Sequence, residues 1–250
     1  MIENQHDQTI DEIDFSEEEK NNTESNREER EKSSLYKDIK HSKSLCANGL
    51  VDTNKYIYIE QTKSVEQKLL PRIERGEFCI LIAPSQSGKT SLVVNSLMPR
   101  LKEIGYLPIY VNIRNVVSMC GETTKKGEST TFFTCLLKAI NIALKVELYA
   151  PTLEDLFSQL YGPFKDEKVV LVKDEIDSIA ELERLERARF LASLSAIKQM
   201  KMSYSLYSCV AITNWVGEHF GQTIGNSPFN VTNLVYGDYF TREEADLKKN

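Results

Sequence analysis

Nothing in this chain has the makings of a membrane span. Its apolar runs stop well short of the ~18–20 residues needed to cross a bilayer. The opening stretch, "MIENQHDQTIDEIDF", has neither a basic start nor an apolar core, so it does not read as a secretory signal. The cysteines are Cys46, Cys79, Cys120, Cys135 and Cys209, an odd number with no C-x-x-C spacing. Cys79 and Cys209 sit inside apolar runs and read as small buried hydrophobes in a reducing compartment. His6, His41 and His219 are scattered and form no zinc-binding spacing. These absences lead us to expect an intracellular protein, with no membrane partner. A basic excess is missing too. Residues 1–33 hold 12 acidic and 4 basic residues, while the whole chain carries only −6, so the remainder is near neutral at about +2. That balance argues against a strong nucleic-acid binder and leaves open a local basic patch.

What is present divides into a tail and a core. Residues 1–43, centred on "SEEEKNNTESNREEREKSS", have too few hydrophobic residues to offset the entropy of ordering, and read as a disordered acidic tail. Residues 44–250 read as one domain, large enough to bury a substantial core. It shows no internal repeat. In "TKSVEQKLLPRIERGEF", Val65, Leu69, Leu70 and Ile73 are spaced as on a helix that stops at Gly76, although Pro71 removes one backbone donor. Apolar runs at 78–83, 107–113, 168–177 (running into acids), 206–214 and within 230–240 read as strands. Between them lie helical patterns at 87–105, 131–148, 152–162 and 179–201, and a polar loop at 118–130. Apolar strands alternating with helices predict an α/β fold, a parallel sheet covered on both faces.

The chemistry concentrates at two places. Residues 83–90 read A-P-S-Q-S-G-K-T, a phosphate-loop pattern with Ala83 where a glycine usually leads. A buried strand precedes it and a helix follows. That context favours a phosphate cradle over an ordinary serine-rich turn. Backbone N–H groups of Pro84's successors Ser85, Gln86, Ser87 and Gly88 would face the phosphates, with Ser91 near the start of the helix whose N-terminus adds its dipole. Gly88 allows the close approach, and Pro84 stiffens the loop while withholding one donor. Lys89 would reach the outer phosphates, and the Thr90 hydroxyl would ligate Mg²⁺. The second place is Asp174-Glu175, at the end of an apolar strand and therefore at the ligand edge of a parallel sheet. There Asp174 would hold the Mg²⁺, directly or through water, and Glu175 would act as base toward a water. Lys173, just before them, either pairs with Glu175 and lowers its basicity or snorkels out at the strand edge. A further strand ends in Thr213-Asn214, whose polar side chains would face the outermost phosphate or act as a strand-end cap. Asn112, at the end of the second strand, is a candidate contact of Glu175.

The segments "LIAPSQSGKTSL", "VVLVKDEID", "VAITN" and "NSPFNVTNLVYGDYFTREEA" resemble the AAA-ATPase-like domain found in prokaryotic signalling ATPases and in fungal and oomycete Crinkler-type proteins. The discriminating part is Ser227-Pro228-Phe229-Asn230, then an apolar strand, then Phe240, Thr241, Glu243 and Glu244. The resemblance covers residues 56–250. It implies a three-layer P-loop NTPase sheet in the AAA-type order 5-1-4-3-2, with ATP and Mg²⁺ as cofactors and hydrolysis driving a conformational switch. It implies Lys89 and Thr90 as Walker A residues, Asp174 and Glu175 as the Walker B pair, and Asn214 or Thr213 in the sensor place. Two departures follow. Residues 215–229 hold no Arg or Lys where assembling relatives place an arginine finger, so ring assembly through that place is not expected; Arg184, Arg187 and Arg189 are the nearby alternatives. The helical lid is expected to be largely missing, because the chain reaches Asn250 soon after the fifth strand. The readings are then an Mg-dependent ATPase acting on an unidentified protein partner, a nucleotide-binding interaction module or effector fragment that does not hydrolyse, and, least favoured by charge, a DNA-associated ATPase.

Overall fold

A computed structural model describes residues 44–45, 51–52, 54–57, 64–121, 130–214, 228–229 and 233–237. The chain divides into two units, Met1–Ser44 and Leu45–Asn250. The acidic tail lies outside the described residues, as do most of the expected polar loop, residues 215–227, and the 238–250 stretch that bears on the lid. All elements below belong to the second unit.

Five strands form one sheet: β1 Phe78–Ile82, β2 Leu107–Asn112, β3 Val169–Asp174, β4 Leu206–Thr213 and β5 Leu234–Tyr236. They pair in the order β2-β3-β4-β1-β5, which is 5-1-4-3-2 read from the other edge, and all four pairings are parallel. Apolar side chains point to both faces, so each face has a core. On one, Cys79, Leu81, Val170, Val172, Val210 and Ile212 pack under the two N-terminal helices. On the other, Phe78, Ile80, Ile109, Leu171, Cys209 and Ala211 pack under the later helices. Alternation along each strand decides which residue serves which face.

Helix α1 runs through a π-helical turn, Ser64–Leu69, into α-helical Leu70–Glu74. Helix α2 begins as Lys89–Leu92, widens to a π-helical Val93–Leu97, and returns to α geometry over Met98–Glu103. Both wide turns sit just ahead of a proline, Pro71 or Pro99. A proline cannot donate to the turn before it and its ring crowds the carbonyl four residues back; a wider turn relieves both without ending the helix. The single expected helix over 87–105 therefore persists through Pro99.

The remaining helices are shorter than the periodicity suggests. After β2, residues Ile113–Ser118 form α3, capped by the Asn112 side chain, which accepts from Asn115 N–H at 3.1 Å. Sequence pattern alone placed no helix there. Helix α4 is Phe132–Leu144, capped by Thr131, and α5 is Leu153–Leu156, capped by Thr152. The helix expected over 152–162 stops early because Ser158 bridges to Tyr204 instead. A 3-10 turn, Ile176–Glu181, then leads to α6, Arg184–Gln199. Among the described residues no helix is long and apolar enough to cross a membrane.

Candidate functional site

Strand β1 delivers the chain to residues 83–88, which turn into α2 at the sheet's C-terminal edge. Gly88 has φ +81° and ψ 11°, a left-handed conformation that glycine adopts freely. Its carbonyl accepts from Leu92 N–H at 2.8 Å and starts the helix. Gln86 is also left-handed, at φ +60°, which an L side chain adopts only at some cost. Behind the loop, Ala83 faces Gly237, where a Cβ would lie 2.9 Å from the Ala83 Cβ.

The loop borders a cavity of about 480 Å³. Ser85, Gln86, Ser87, Gly88, Lys89 and Thr90 form one wall, while Asp174, Glu175 and Asn214 form another. Pro84 does not line it; its carbonyl accepts from Lys89 Nζ at 2.5 Å. Ser91 borders the cavity but is buried, and its hydroxyl accepts from Val51 N–H at 3.2 Å, with Asn95 Nδ2 holding the Val51 carbonyl at 2.9 Å. Two side chains thus tether a segment remote in sequence beside the loop.

Lys89 Nζ also donates to Ala83 O and to Asn214 Oδ1, each at 2.7 Å. Burial pulls this ammonium below its ordinary value, against the opposing charges of Asp174, Asp177 and Glu175. Thr213 is turned away, with its hydroxyl donating to Asp177 Oδ1 at 3.1 Å. Of the two candidates at the end of β4, Asn214 is the one facing the loop lysine.

Asp174 closes β3 and is buried. Its Oδ2 accepts from Thr90 Oγ1 at 2.6 Å and from Tyr110 OH at 2.8 Å, and its Oδ1 accepts from Glu175 N–H at 2.9 Å. Burial and the adjacent Asp174 charge raise the Tyr110 phenol well above its usual range, so it stays protonated and donates. Glu175 leaves the strand at φ +51°. Its Oε2 accepts from Asn112 Nδ2 at 3.1 Å and lies 3.4 Å from Arg114 Nε.

Lys173 takes neither place expected of it. It does not pair with Glu175, and it does not snorkel to the edge. It is fully buried on the face opposite Asp174, with Nζ 4.7 Å from the Phe229 ring centroid and 5.3 Å from that of Phe190. Among the described residues no hydrogen bond of ordinary geometry satisfies this nitrogen; the Cys209 thiol is a weak polar neighbour. Burial pulls the ammonium down, with Cys209 opposing.

The donor set fits a nucleotide. Ser87 Oγ is buried without a hydrogen-bond partner among the described residues, which suits a phosphate oxygen arriving at the loop. Thr90 and Asp174 offer hard oxygens, the kind Mg²⁺ takes. Among the described residues no cluster of three His, Cys, Asp or Glu side chains is placed to hold a metal. A larger hollow of about 670 Å³ lies between the start of α4 and α6. Glu154, Glu186 and Arg189 line it, but it adjoins neither the 83–88 loop nor the acids that end β3, so the smaller cavity is the candidate site. Arg187 donates to Ala180 O at 3.0 Å and Arg189 borders the larger hollow, while Arg184 lines neither. None of these arginines reaches the candidate site within one chain.

Sequence reasoning missed Tyr110 and Arg114. Tyr110 had a signal: it is an amphipathic residue in an apolar strand, two positions before Asn112 and hence on the same face. Arg114 had none, because α3 was not expected.

No family model matches the chain, and no curated protein does. Solved structures do. A Walker-type ATPase of Pyrococcus abyssi has 14% identity and a TM-score of 0.50, over 75% of this chain and 55% of that one. The Cdc6p of Pyrobaculum aerophilum has 13% identity and a TM-score of 0.47, over 81% and 49%. The ORC1 protein of Aeropyrum pernix, solved in complex with DNA, has 18% identity and a TM-score of 0.42, over 75% and 47%. The chain spans about half the length of these structures. At 14% identity, the likeness to the Pyrococcus protein is one of fold alone.

Proposed function

We propose that this chain binds ATP with Mg²⁺ at the cavity beneath residues 83–90 and hydrolyses it, using the cycle as a conformational switch. The observation that carries the reading is one constellation: a left-handed Gly88 turn, a buried unpartnered Ser87 hydroxyl, Lys89, and the Thr90–Asp174 hydrogen bond. The loop N–H groups and Ser87 would bind phosphate oxygens. Lys89 would exchange its bonds to Ala83, Pro84 and Asn214 for bonds to the outer phosphates. Thr90 and Asp174 would hold Mg²⁺, which when bound neutralises charge on the phosphates. Glu175 would accept the proton of the attacking water, and Asn214 would follow Lys89 toward the outermost phosphate. Because Lys89 and Glu175 both change partners along this path, occupancy is coupled to the ends of β2 and β4. That coupling is what supports the switch.

The test is ATP affinity and phosphate release. Lys89→Ala is expected to weaken ATP binding by about 10–100-fold, as loss of charge-assisted hydrogen bonds does. Unchanged affinity would overturn the reading. Glu175→Gln is expected to keep binding and lose turnover.

A second reading has its own support. Glu175 is engaged by Asn112 and Arg114, and Lys89 by three protein oxygens. If that arrangement persists with ATP bound, the protein is a nucleotide-binding module without turnover. Tight binding with no phosphate release from the wild type at high concentration would decide for it.

A further inference from the structure

We infer that Tyr110 is a positioning residue for the metal-binding carboxylate, directing Asp174 toward Mg²⁺ through one oxygen only. The inference rests on the ATP–Mg²⁺ reading above. It starts from register. In the parallel β2–β3 pair, Tyr110 stands opposite Val172 and Asn112 opposite Asp174. Alternation puts Tyr110, Asn112, Val172 and Asp174 on the same face, the one beneath α2. The para oxygen of tyrosine reaches two residue pairs further along the strands and meets Asp174 Oδ2 at 2.8 Å.

That oxygen also accepts Thr90 Oγ1 at 2.6 Å. A carboxylate oxygen has two in-plane lone pairs, so two hydroxyl donors fill Oδ2. Oδ1 accepts one backbone N–H, from Glu175 at 2.9 Å, and keeps one lone pair. The carboxylate is therefore clamped on both sides, and its remaining acceptor direction belongs to Oδ1. The Thr90 hydroxyl gives its proton to Asp174 and keeps its own lone pairs for the cation. This arrangement suits a cation that dehydrates reluctantly: Thr90 ligates it, while Asp174 accepts from one of its waters rather than entering its shell. Outer partners of this kind commonly change metal affinity by ~10–100-fold.

The test measures the affinity of a fluorescent ATP analogue against Mg²⁺ concentration, and again in EDTA, for wild type and Tyr110→Phe. The expected result is a rise of about tenfold in half-saturating Mg²⁺, the order of one charge-assisted hydrogen bond. Metal-free affinity should stay within about twofold, since no loop group has changed. Half-saturating Mn²⁺ should rise less than Mg²⁺, because the freed Oδ2 can then enter the shell of a cation that sheds water more readily. Placing 4-aminophenylalanine at position 110 restores a donor at the same reach and should restore the Mg²⁺ response. If Tyr110→Phe loses its unfolding transition, 4-methylphenylalanine fills the same space without a donor and replaces it in the comparison. Unchanged Mg²⁺ half-saturation overturns the proposal and leaves the ATP reading standing. So does an equal loss of affinity in EDTA, which would mark a merely structural tyrosine, or failure of the amino ring to restore the response. A wild type whose ATP affinity ignores Mg²⁺ overturns both.

Discussion

Lys173 occupies a core position that an aliphatic side chain would fill without desolvation cost. It is fully buried between Phe190 and Phe229, and its nitrogen lacks a proper hydrogen bond. Contact with two ring faces returns some of the lost solvation, about 0.5–2 kcal/mol each at most. The desolvation of an ammonium is larger, so the balance is unfavourable. Lys173→Met keeps the chain length and is expected to raise stability by about 1–3 kcal/mol at neutral pH. Folding lowers this ammonium's pKa from its ordinary 10.5. Between the lowered value and 10.5 the unfolded chain holds more protons than the folded one, so Lys173's contribution to stability rises with pH across that window. The gain from methionine should therefore shrink as pH approaches 10. Denaturant unfolding of both proteins at pH 7 and pH 10 measures this, and a less stable methionine variant would show that the rings outweigh desolvation. The sequence flagged Lys173 as out of place after four apolar residues. Its partners were not legible, because Phe190 and Phe229 come from distant elements.

At the scale of elements, the loop's departure from pattern has a structural counterpart. Ala83 stands where a phosphate loop usually begins with glycine. The chain after β5 compensates: Gly237 lies against Ala83, and Gly237 N–H donates to Ile82 O at 2.8 Å. A methyl at 237 would meet the Ala83 Cβ at 2.9 Å, closer than carbon atoms pack. Gly237→Ala is expected to cost about 1–3 kcal/mol, as overpacking does. Adding Ala83→Gly should recover most of that loss. Thermal unfolding of the two single variants and the double closes the cycle, and strict additivity would show that the two positions do not share the strain. The strand ends hold a second such relation. Asn112 and Arg114 hold Glu175 from β2 and the start of α3. The arginine is more than half exposed, so the ion pair adds little stability. Its effect belongs to chemistry: Arg114→Ala should raise phosphate release about threefold or more at saturating ATP by freeing the base. An equal or lower rate would mean that Arg114 assists the reaction instead. The strands, the loop and the acid pair were legible because each is a local pattern. Helix α3 was not, since six residues give too short a window for periodicity. The early end of α5 depends on a bridge to Tyr204 that no local pattern records.

At the scale of the molecule, the site joins a segment near the start of the folded unit to the strands at its centre. Val51 is tethered to α2 through Ser91 and Asn95, the loop grows from β1, the acids end β3, and Asn214 ends β4. Apolar runs alternating with helices made the parallel sheet legible, whereas the strand order came from resemblance and not from any physical pattern in the chain. A ligand that contacts β1, β3 and β4 together binds only the folded chain, so its binding energy adds to stability by mass action. At 100 times its dissociation constant, ATP with Mg²⁺ should add about 2.7 kcal/mol. For a domain of this size that corresponds to a Tm increase of roughly 5–10 °C. EDTA should remove most of the shift, because Thr90 and Asp174 would then face the phosphates without a cation. Lys89→Ala should also abolish it while leaving the Tm without nucleotide close to wild type. Its ammonium is already below its ordinary pKa through burial, so losing it relieves desolvation as it removes hydrogen bonds. Differential scanning fluorimetry across these four conditions separates the outcomes. A shift that survives Lys89→Ala would place the nucleotide away from residues 83–90, and no shift at any concentration would mean that the fold does not bind it.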